Sequence, residues 1–284
     1  MPATITISVF GLGLMGRPMA RTLLARGLPV RGWNRSPLDP ALVTGIPLAP
    51  SLEDAARAEV CLLMLADSAA VGAVLSQIEP HLHPGQSVLD MGTSDPGASR
   101  LHAARLAAKG IRWVDAPVSG GPEGAAAGTL AIMAGGTAED IAHVRPVLEG
   151  LGTGVVHVGG AGAGHITKLI NQVIVSLTIE AVAEALTLAE TSGLDPSLVQ
   201  SALRGGFADS KILQIHGTRM ITRAYAPGGK ASTQLKDLRL ASGLAETAGL
   251  ALPHLQSTTA RYARLVEEGR GEEDASALRA LLTE

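Results

Sequence analysis

Residues 4–26 decide the fold: Thr4-Ile5-Thr6-Ile7-Ser8-Val9-Phe10 runs into Gly11-Leu12-Gly13-Leu14-Met15-Gly16, and then into Arg17-Pro18-Met19-Ala20-Arg21-Thr22-Leu23-Leu24-Ala25-Arg26. The first segment has the β-branched content of a strand, and the last has the Ala/Leu/Arg content of a helix. Between them, the G-x-G-x-x-G spacing gives each glycine a task. The first makes a tight turn, the second lets a pyrophosphate approach the backbone, and the third lets the helix pack on the strand. The helix N-terminus beyond them suits phosphate. Without that strand and helix, the same six residues read as a flexible surface turn.

The rhythm continues outward. Pro29–Trp33, Val60–Leu65, Ser87–Met91, Ile111–Val114 and Leu130–Ala134 are strand-like, and Leu52–Arg57, Ala70–Ile78 and Ala98–Lys109 between them are helical. This predicts βαβ units and an α/β, Rossmann-type, doubly wound N-terminal domain over residues 1–162. Its sheet is mainly parallel, with helices on both faces and right-handed crossovers. After about residue 160 the strand signals stop. His165–Ser192 reads as one helix of about 28 residues, or about 42 Å. Gly193 ends it, and Asp195-Pro196 caps the next helix. The remainder, broken at Gly205-Gly206, Pro227-Gly228-Gly229, Gly249 and Gly269–Gly271, predicts an all-α C-terminal domain over residues 163–284, joined through the long helix. The charged stretch from Gly269 is expected to fray.

Composition narrows the function. The 284 residues are 46% hydrophobic and 17% charged, with a net charge of −3 and 2% aromatics. That suits more than one core, and it offers neither a basic surface for nucleic acid nor an aromatic platform for bases. The expected partner is a small molecule. Cys61, the single cysteine, sits in the apolar run Val60-Cys61-Leu62-Leu63-Met64-Leu65 and reads as an inert core thiol, with no disulfide and no metal site. No signal peptide is visible. Lys168, Glu180, Glu184 and Glu190 interrupt the long helix and argue against a membrane span, so a cytoplasmic protein is expected.

The turn after the second strand selects between nicotinamide cofactors. An acidic residue there would hold a ribose 2′-hydroxyl, whereas this chain has Asn34-Arg35-Ser36. An amide, a guanidinium and a hydroxyl accept a 2′-phosphate, which favours NADPH over NADH. The alternative is that Asn34 caps the turn and Arg35 is merely solvated. After the fifth strand comes Asp115-Ala116-Pro117-Val118-Ser119-Gly120-Gly121. Its hydroxyl and unhindered N–H groups suit a substrate carboxylate, or they form a Pro/Gly turn between strands.

The long helix opens Gly162-Ala163-Gly164-His165-Ile166-Thr167-Lys168-Leu169-Ile170-Asn171-Gln172. Lys168, Asn171 and Gln172 share one face. A lysine near the positive end of a helix is unfavourably placed, which would lower its pKa towards a value suited to proton donation. Asn171 and Gln172 would meet substrate oxygens, or they would bond to a neighbouring helix. Lys236-Asp237, on a late helix over Thr233–Ala245, reads locally as a surface ion pair.

Together GLGLMGRPMA, DAPVSGG, GAGHITKLINQ and LKDLRLA, in this order along essentially the whole chain, resemble the β-hydroxyacid dehydrogenase family (3-hydroxyisobutyrate dehydrogenase-like), and within it the tartronate semialdehyde reductase (2-hydroxy-3-oxopropionate reductase) branch. The resemblance implies that Lys168 is the general acid/base. Ser119, Gly120 and Gly121 would hold the substrate carboxylate, and Asn171 and Gln172 would contact substrate. Gly11, Leu12, Gly13, Leu14, Met15, Gly16, Asn34, Arg35, Ser36, Leu65, Ala66, Thr93 and Lys236 would line the cofactor. Three places depart from the family pattern: Leu65-Ala66-Asp67 where relatives have Leu-Pro, Asp95 after Gly92-Thr93-Ser94, and the missing aromatic after Pro227-Gly228.

The expected activity is NADPH-dependent reduction of tartronate semialdehyde to glycerate, by a homodimer or homotetramer. A 3-hydroxyisobutyrate or succinic semialdehyde-type dehydrogenase is the nearest alternative, and a non-catalytic NADPH-binding module is the alternative of another class. Imine reductases also resemble the family but typically lack the lysine.

Overall fold

The computed structural model describes residues 5–226 and 228–283. Thr4 of the first expected strand and Pro227 of the Pro-Gly-Gly break lie outside the described residues. The chain divides into two compact units, the first ending at Lys168 and the second starting at Leu169.

The first unit is built on β1 (Ile7–Phe10), β2 (Val30–Trp33), β3 (Val60–Leu63), β4 (Ser87–Asp90), β5 (Arg112–Asp115), β6 (Val118–Ser119), β7 (Leu130–Gly135) and β8 (Gly152–Gly159). They form one sheet in the order β2-β1-β3-β4-β5-β7-β6, with β8 also paired to β7. The pairs from β2 to β5 are parallel, and β7 runs antiparallel to β5 and β6. The helices are α1 (Gly16–Ala25), α2 (Leu52–Ala56), α3 (Ser68–Ile78), α4 (Pro96–Ala107), α5 (Gly121–Ala127) and α6 (Ala138–Leu151).

Alternation along the strands explains why both faces are covered. Val9, Leu62, Leu89 and Val114 point into a core with Met19, Leu23, Val144 and Leu148. Phe10, Cys61, Leu63, Val88 and Trp113 point into the opposite core with Val71, Leu75, Ile78 and Leu106. Strands buried on both faces need a helix layer on each. Burial pushes the Cys61 thiol up to about 12, in keeping with a core thiol.

The sequence reading missed β6, β8, α5 and α6. β8 alternates weakly because much of it is exposed, and Pro146 sits inside α6.

The helical part comprises α7 (Ala163–Thr191), α8 (Pro196–Leu203), α9 (Lys211–Thr222), α10 (Ala231–Thr247), α11 (Pro253–Leu265) and α12 (Ala280–Thr283). Asp195 caps α8 as expected, accepting from Ser197 N–H at 2.8 Å. The core of this unit gathers Leu169, Ile179, Val182, Leu186, Leu213, Met220, Leu238, Tyr262 and Leu278.

Two expectations are corrected here. The chain beyond Gly269 does not fray: Ala275–Ala280 is buried, and Asp274 anchors it. The charged residues of α7 also do not disqualify it on composition, since its most apolar window has mean hydropathy 1.5, enough to cross a membrane by length and composition alone. Its Leu169, Ile179, Val182, Ala183 and Leu186 instead lie in the unit's core.

Candidate active site

The glycine loop is as tight as its spacing implies. Gly11 has φ +96°, and a Cβ on it would fall 2.3 Å from the Met64 carbonyl oxygen. A Cβ on Gly16 would fall 1.8 Å from the Gly11 carbonyl oxygen, so α1 starts against the end of β1. Gly13 faces open space, and α1 begins with neither a side-chain cap nor an acidic residue in its first turn. The end of the helix therefore presents backbone donors and no repelling charge, a fit for a pyrophosphate.

Asn34 ties this loop to the end of β2. Its Oδ1 accepts the Leu12 N–H at 3.0 Å, and its Nδ2 donates to the Ser36 carbonyl at 2.8 Å. Asn34 thus does cap the turn. Arg35 and Ser36 are exposed beside it, at the rim of a recess of about 190 Å³ lined by Leu12, Gly32, Asn34, Ser36 and Ala49. A larger cavity of about 460 Å³ lies at the opposite, N-terminal ends of β1 and β2, among Thr6, Pro29, Arg31 and Arg57. It holds none of the expected site residues.

Leu65 and Ala66 follow β3. The Leu65 side chain lies beside Gly11 and its carbonyl beside Gly92, so the β1, β3 and β4 loops form one continuous edge. Asp67 and Asp95, two of the departures from the family pattern, serve as N-caps. Asp67 accepts from Ala70 N–H at 2.8 Å, and Asp95 from Ala98 N–H at 2.7 Å. Thr93 is half-buried between Gly92 and Ser94.

Ser119 belongs to β6, and the next two residues have positive φ, Gly120 +136° and Gly121 +66°. The segment is therefore a strand end turning into α5. Lys168, at the end of the first unit, is 8% exposed.

In the second unit, the polar face of α7 meets α10. Asn171 Nδ2 donates to Gln172 Oε1 at 2.8 Å, and Gln172 Nε2 donates to Asp237 Oδ2 at 2.6 Å. Lys236 Nζ pairs with Asp237 Oδ1 at 2.9 Å. Asp237 is 1% exposed, so the carboxylate end of the expected surface ion pair is buried, and through Gln172 it links α7 to α10. Reading Lys236-Asp237 in isolation missed it; a helical wheel of α10, which puts Gln234, Asp237 and Ala241 on its buried side, carries the signal.

A Rossmann sheet with this phosphate loop, followed by a helical unit, defines an NAD(P)-dependent dehydrogenase. Residues 6–159 match the NAD-binding domain of 6-phosphogluconate dehydrogenase, and residues 162–282 match the NAD-binding domain of NADP-dependent 3-hydroxyisobutyrate dehydrogenase. The chain is 38% identical to 2-hydroxy-3-oxopropionate reductase of Escherichia coli over 280 residues, 96% of this chain and 95% of the relative. It is 33% identical to the NAD-dependent L-serine dehydrogenase of Pseudomonas aeruginosa over 288 residues, 97% of each. The solved structure of Mycobacterium tuberculosis 3-hydroxyisobutyrate dehydrogenase with L-serine superposes with TM-score 0.88 at 30% identity, covering 99% of both chains. The chain belongs to the β-hydroxyacid dehydrogenase family, whose members are NAD(P)-dependent oxidoreductases acting on small hydroxyacids.

Proposed function

We propose that the protein is an NADPH-dependent reductase of tartronate semialdehyde, forming glycerate and running reversibly as a β-hydroxyacid dehydrogenase. One observation carries the reading: Lys168 is a buried lysine one turn into α7, with Asn171 on the same helical face. The 38% identity to a 2-hydroxy-3-oxopropionate reductase supports the substrate. NADPH is favoured because the β2 turn carries Arg35 and Ser36 and no carboxylate.

A nicotinamide held there would supply the hydride. Lys168 Nζ gives a proton to the carbonyl oxygen as the C–O π pair becomes localised there; it is left a neutral amine and regains its proton from solvent. In reverse it removes the hydroxyl proton. The Ser119 hydroxyl and the Gly120 and Gly121 N–H groups hold the substrate carboxylate. Asn171 would orient the substrate with Gln172 behind it, and Thr93, Leu65, Ala66 and Lys236 would contact the cofactor. The exposed stripe Ile170, Ile174 and Leu188 on α7 supports a homodimer or homotetramer, and we read the enzyme as cytoplasmic, with residues 1–162 binding cofactor and 163–284 serving substrate and association.

The test is NADPH consumption with tartronate semialdehyde, methylmalonate semialdehyde and succinic semialdehyde, and NADP+ reduction with L-serine, a substrate class that the relatives' names favour. The highest kcat/KM is expected on tartronate semialdehyde. Lys168→Ala should lower kcat by about 10²–10⁴. Faster turnover of another compound reassigns the substrate, near-normal turnover by the variant refutes the role of Lys168, and tight NADPH binding without any turnover makes this a binding module.

A further inference from the structure

Three residues outside the expected site form a fully buried cluster beneath it. Asp90 ends β4 and Asp115 ends β5; they are register partners on adjacent strands, and neither they nor His165 has any exposure. Each carboxylate grips a different loop. Asp90 accepts the Gly92 N–H through Oδ1 at 3.0 Å and the Ser94 hydroxyl through Oδ2 at 3.0 Å. It thereby fixes both sides of Thr93. Asp115 accepts the Gly162 N–H at 2.7 Å and the His165 N–H at 3.0 Å, fixing the first turn of α7. Packing makes that turn intolerant of displacement: a Cβ on Gly164 would fall 2.4 Å from the carbonyl oxygens of both Asp115 and Met133.

His165 joins the two grips. Its backbone N–H is held by Asp115, while its Nε2 lies 3.5 Å from Asp90 Oδ2. Among the described residues neither ring nitrogen has a hydrogen-bond partner. A buried imidazole left so incompletely bonded is expensive, and two adjacent buried carboxylates are more so. Burial pushes the Asp115 carboxyl above the usual carboxylate range, and His165 pulls it back. Lys168 follows three residues later, on the same face of the helix.

We propose that His165 is a positioning residue, lodged between Asp90 and Asp115, which holds the Thr93 loop and the first turn of α7 in register and so sets Lys168 against the reacting carbonyl. The proposal rests on the reading of Lys168 as proton donor. Its effect is on alignment, where a displacement of about 1 Å costs on the order of 10² in rate.

The experiment compares wild type with His165→Leu, His165→Gln, Lys168→Ala and the His165→Leu/Lys168→Ala double variant. Four quantities are read: kcat and KM for tartronate semialdehyde, NADPH Kd by fluorescence, and amide hydrogen exchange over 92–95 and 162–168. His165→Leu should lower kcat at least about tenfold, with KM and Kd within about threefold, and should speed exchange in both segments. His165→Gln, which keeps a donor near Asp90, should restore most of kcat. In the Lys168→Ala background His165→Leu should add nothing, because the two act through one group.

An unchanged kcat in His165→Leu overturns the proposal, as does an equal loss in the Lys168→Ala background. A joint loss of kcat, KM and Kd that Gln does not rescue marks a merely structural residue and also overturns it. If Lys168→Ala itself retains turnover, or wild type ignores the substrate, the proposed function fails separately. The exchange measurement, which needs no substrate, then decides whether His165 couples the two segments. Should His165→Leu not accumulate, Asp90→Asn takes its place, with the same selective loss of kcat expected and an unchanged kcat overturning the proposal.

Discussion

Asp274 is a buried carboxylate on which the helical unit can be tested quantitatively. It is fully buried and accepts from Arg219 Nη1 at 2.6 Å, His216 Nδ1 at 3.2 Å, the Ser276 hydroxyl at 2.6 Å and N–H at 3.0 Å, and the Gly228 and Gly229 N–H groups at 3.1 and 3.2 Å. One side chain thus ties α9, the Gly228-Gly229 turn and the C-terminal segment together. Burial alone would raise its pKa, but the bonds from His216 and Ser276, with the charge of His216, hold the carboxyl well below the usual carboxylate range. Asp274→Asn keeps the volume and turns an NH₂ group towards donors. Breaking a buried ionic network of this kind costs about 3 kcal/mol, which lowers the midpoint for a unit of this size by roughly 10 °C. The sign with pH follows from the depressed pKa. The stabilisation is complete above the unfolded value of about 4 and is lost as pH falls towards the folded one. The gap between wild type and variant in thermal or urea unfolding should therefore be widest near pH 7 and about 1 kcal/mol narrower by pH 3. A gap under about 1 kcal/mol at pH 7, or one that does not narrow on acidification, refutes the reasoning.

The β2 turn can be tested by Asn34→Asp with Arg35→Ala. A carboxylate there repels a 2′-phosphate, so the ratio of kcat/KM for NADPH over NADH should fall by at least about tenfold, one charge-assisted contact; an unchanged ratio removes the argument for NADPH. Ile174, an exposed isoleucine on α7, should be central to self-association. Ile174→Glu is expected to shift the molecular mass by light scattering towards the monomer, and an unaltered mass places the interface elsewhere.

The N-terminal architecture was legible because the strands are short, apolar and punctuated by helices, and because three glycines must turn, admit a ligand and admit a helix in that order. Asn34 was legible as an alternative only: spacing cannot say whether an amide faces a ribose or the Leu12 N–H, since both lie at the same strand end. β6 and β8 were not legible. Val118–Ser119 is only two residues long, and much of Gly152–Gly159 is exposed, so neither shows the apolar alternation that marks a strand. The Asp274 anchor escaped because its partners on α9 and in the Gly228-Gly229 turn lie some 45 to 58 positions away in the chain, and a charged, glycine-flanked tail is locally identical to a frayed one. Asp90, Asp115 and His165 escaped likewise: each ends or opens an element, where polar residues are ordinary caps until burial is known.

Asp237 escaped in the same way, and its burial has a consequence for specificity. An ionised carboxylate can only accept, so Gln172 must turn its NH₂ towards Asp237 Oδ2. Its carbonyl oxygen then faces Asn171, whose NH₂ donates to it. The relay commits one Asn171 N–H to Gln172 and so turns the Asn171 carbonyl oxygen outward for a ligand, and an acceptor there suits a hydroxyl. On the proposed reading, Asn171 therefore recognises the 2-hydroxyl of tartronate semialdehyde, which methylmalonate semialdehyde lacks. A satisfied hydrogen bond of this kind is worth about 1 kcal/mol, and a missing one leaves a polar group unpaired. The two aldehydes should accordingly differ by about tenfold or more in kcat/KM. Asp237→Asn can donate as well as accept, so both amides are free to turn over, and the preference should collapse towards unity while thermal stability changes little beyond the lost Lys236 pair. Retention of the full preference in Asp237→Asn would show that the hydroxyl is read by another group, and that Asn171 is held only to keep α7 against α10.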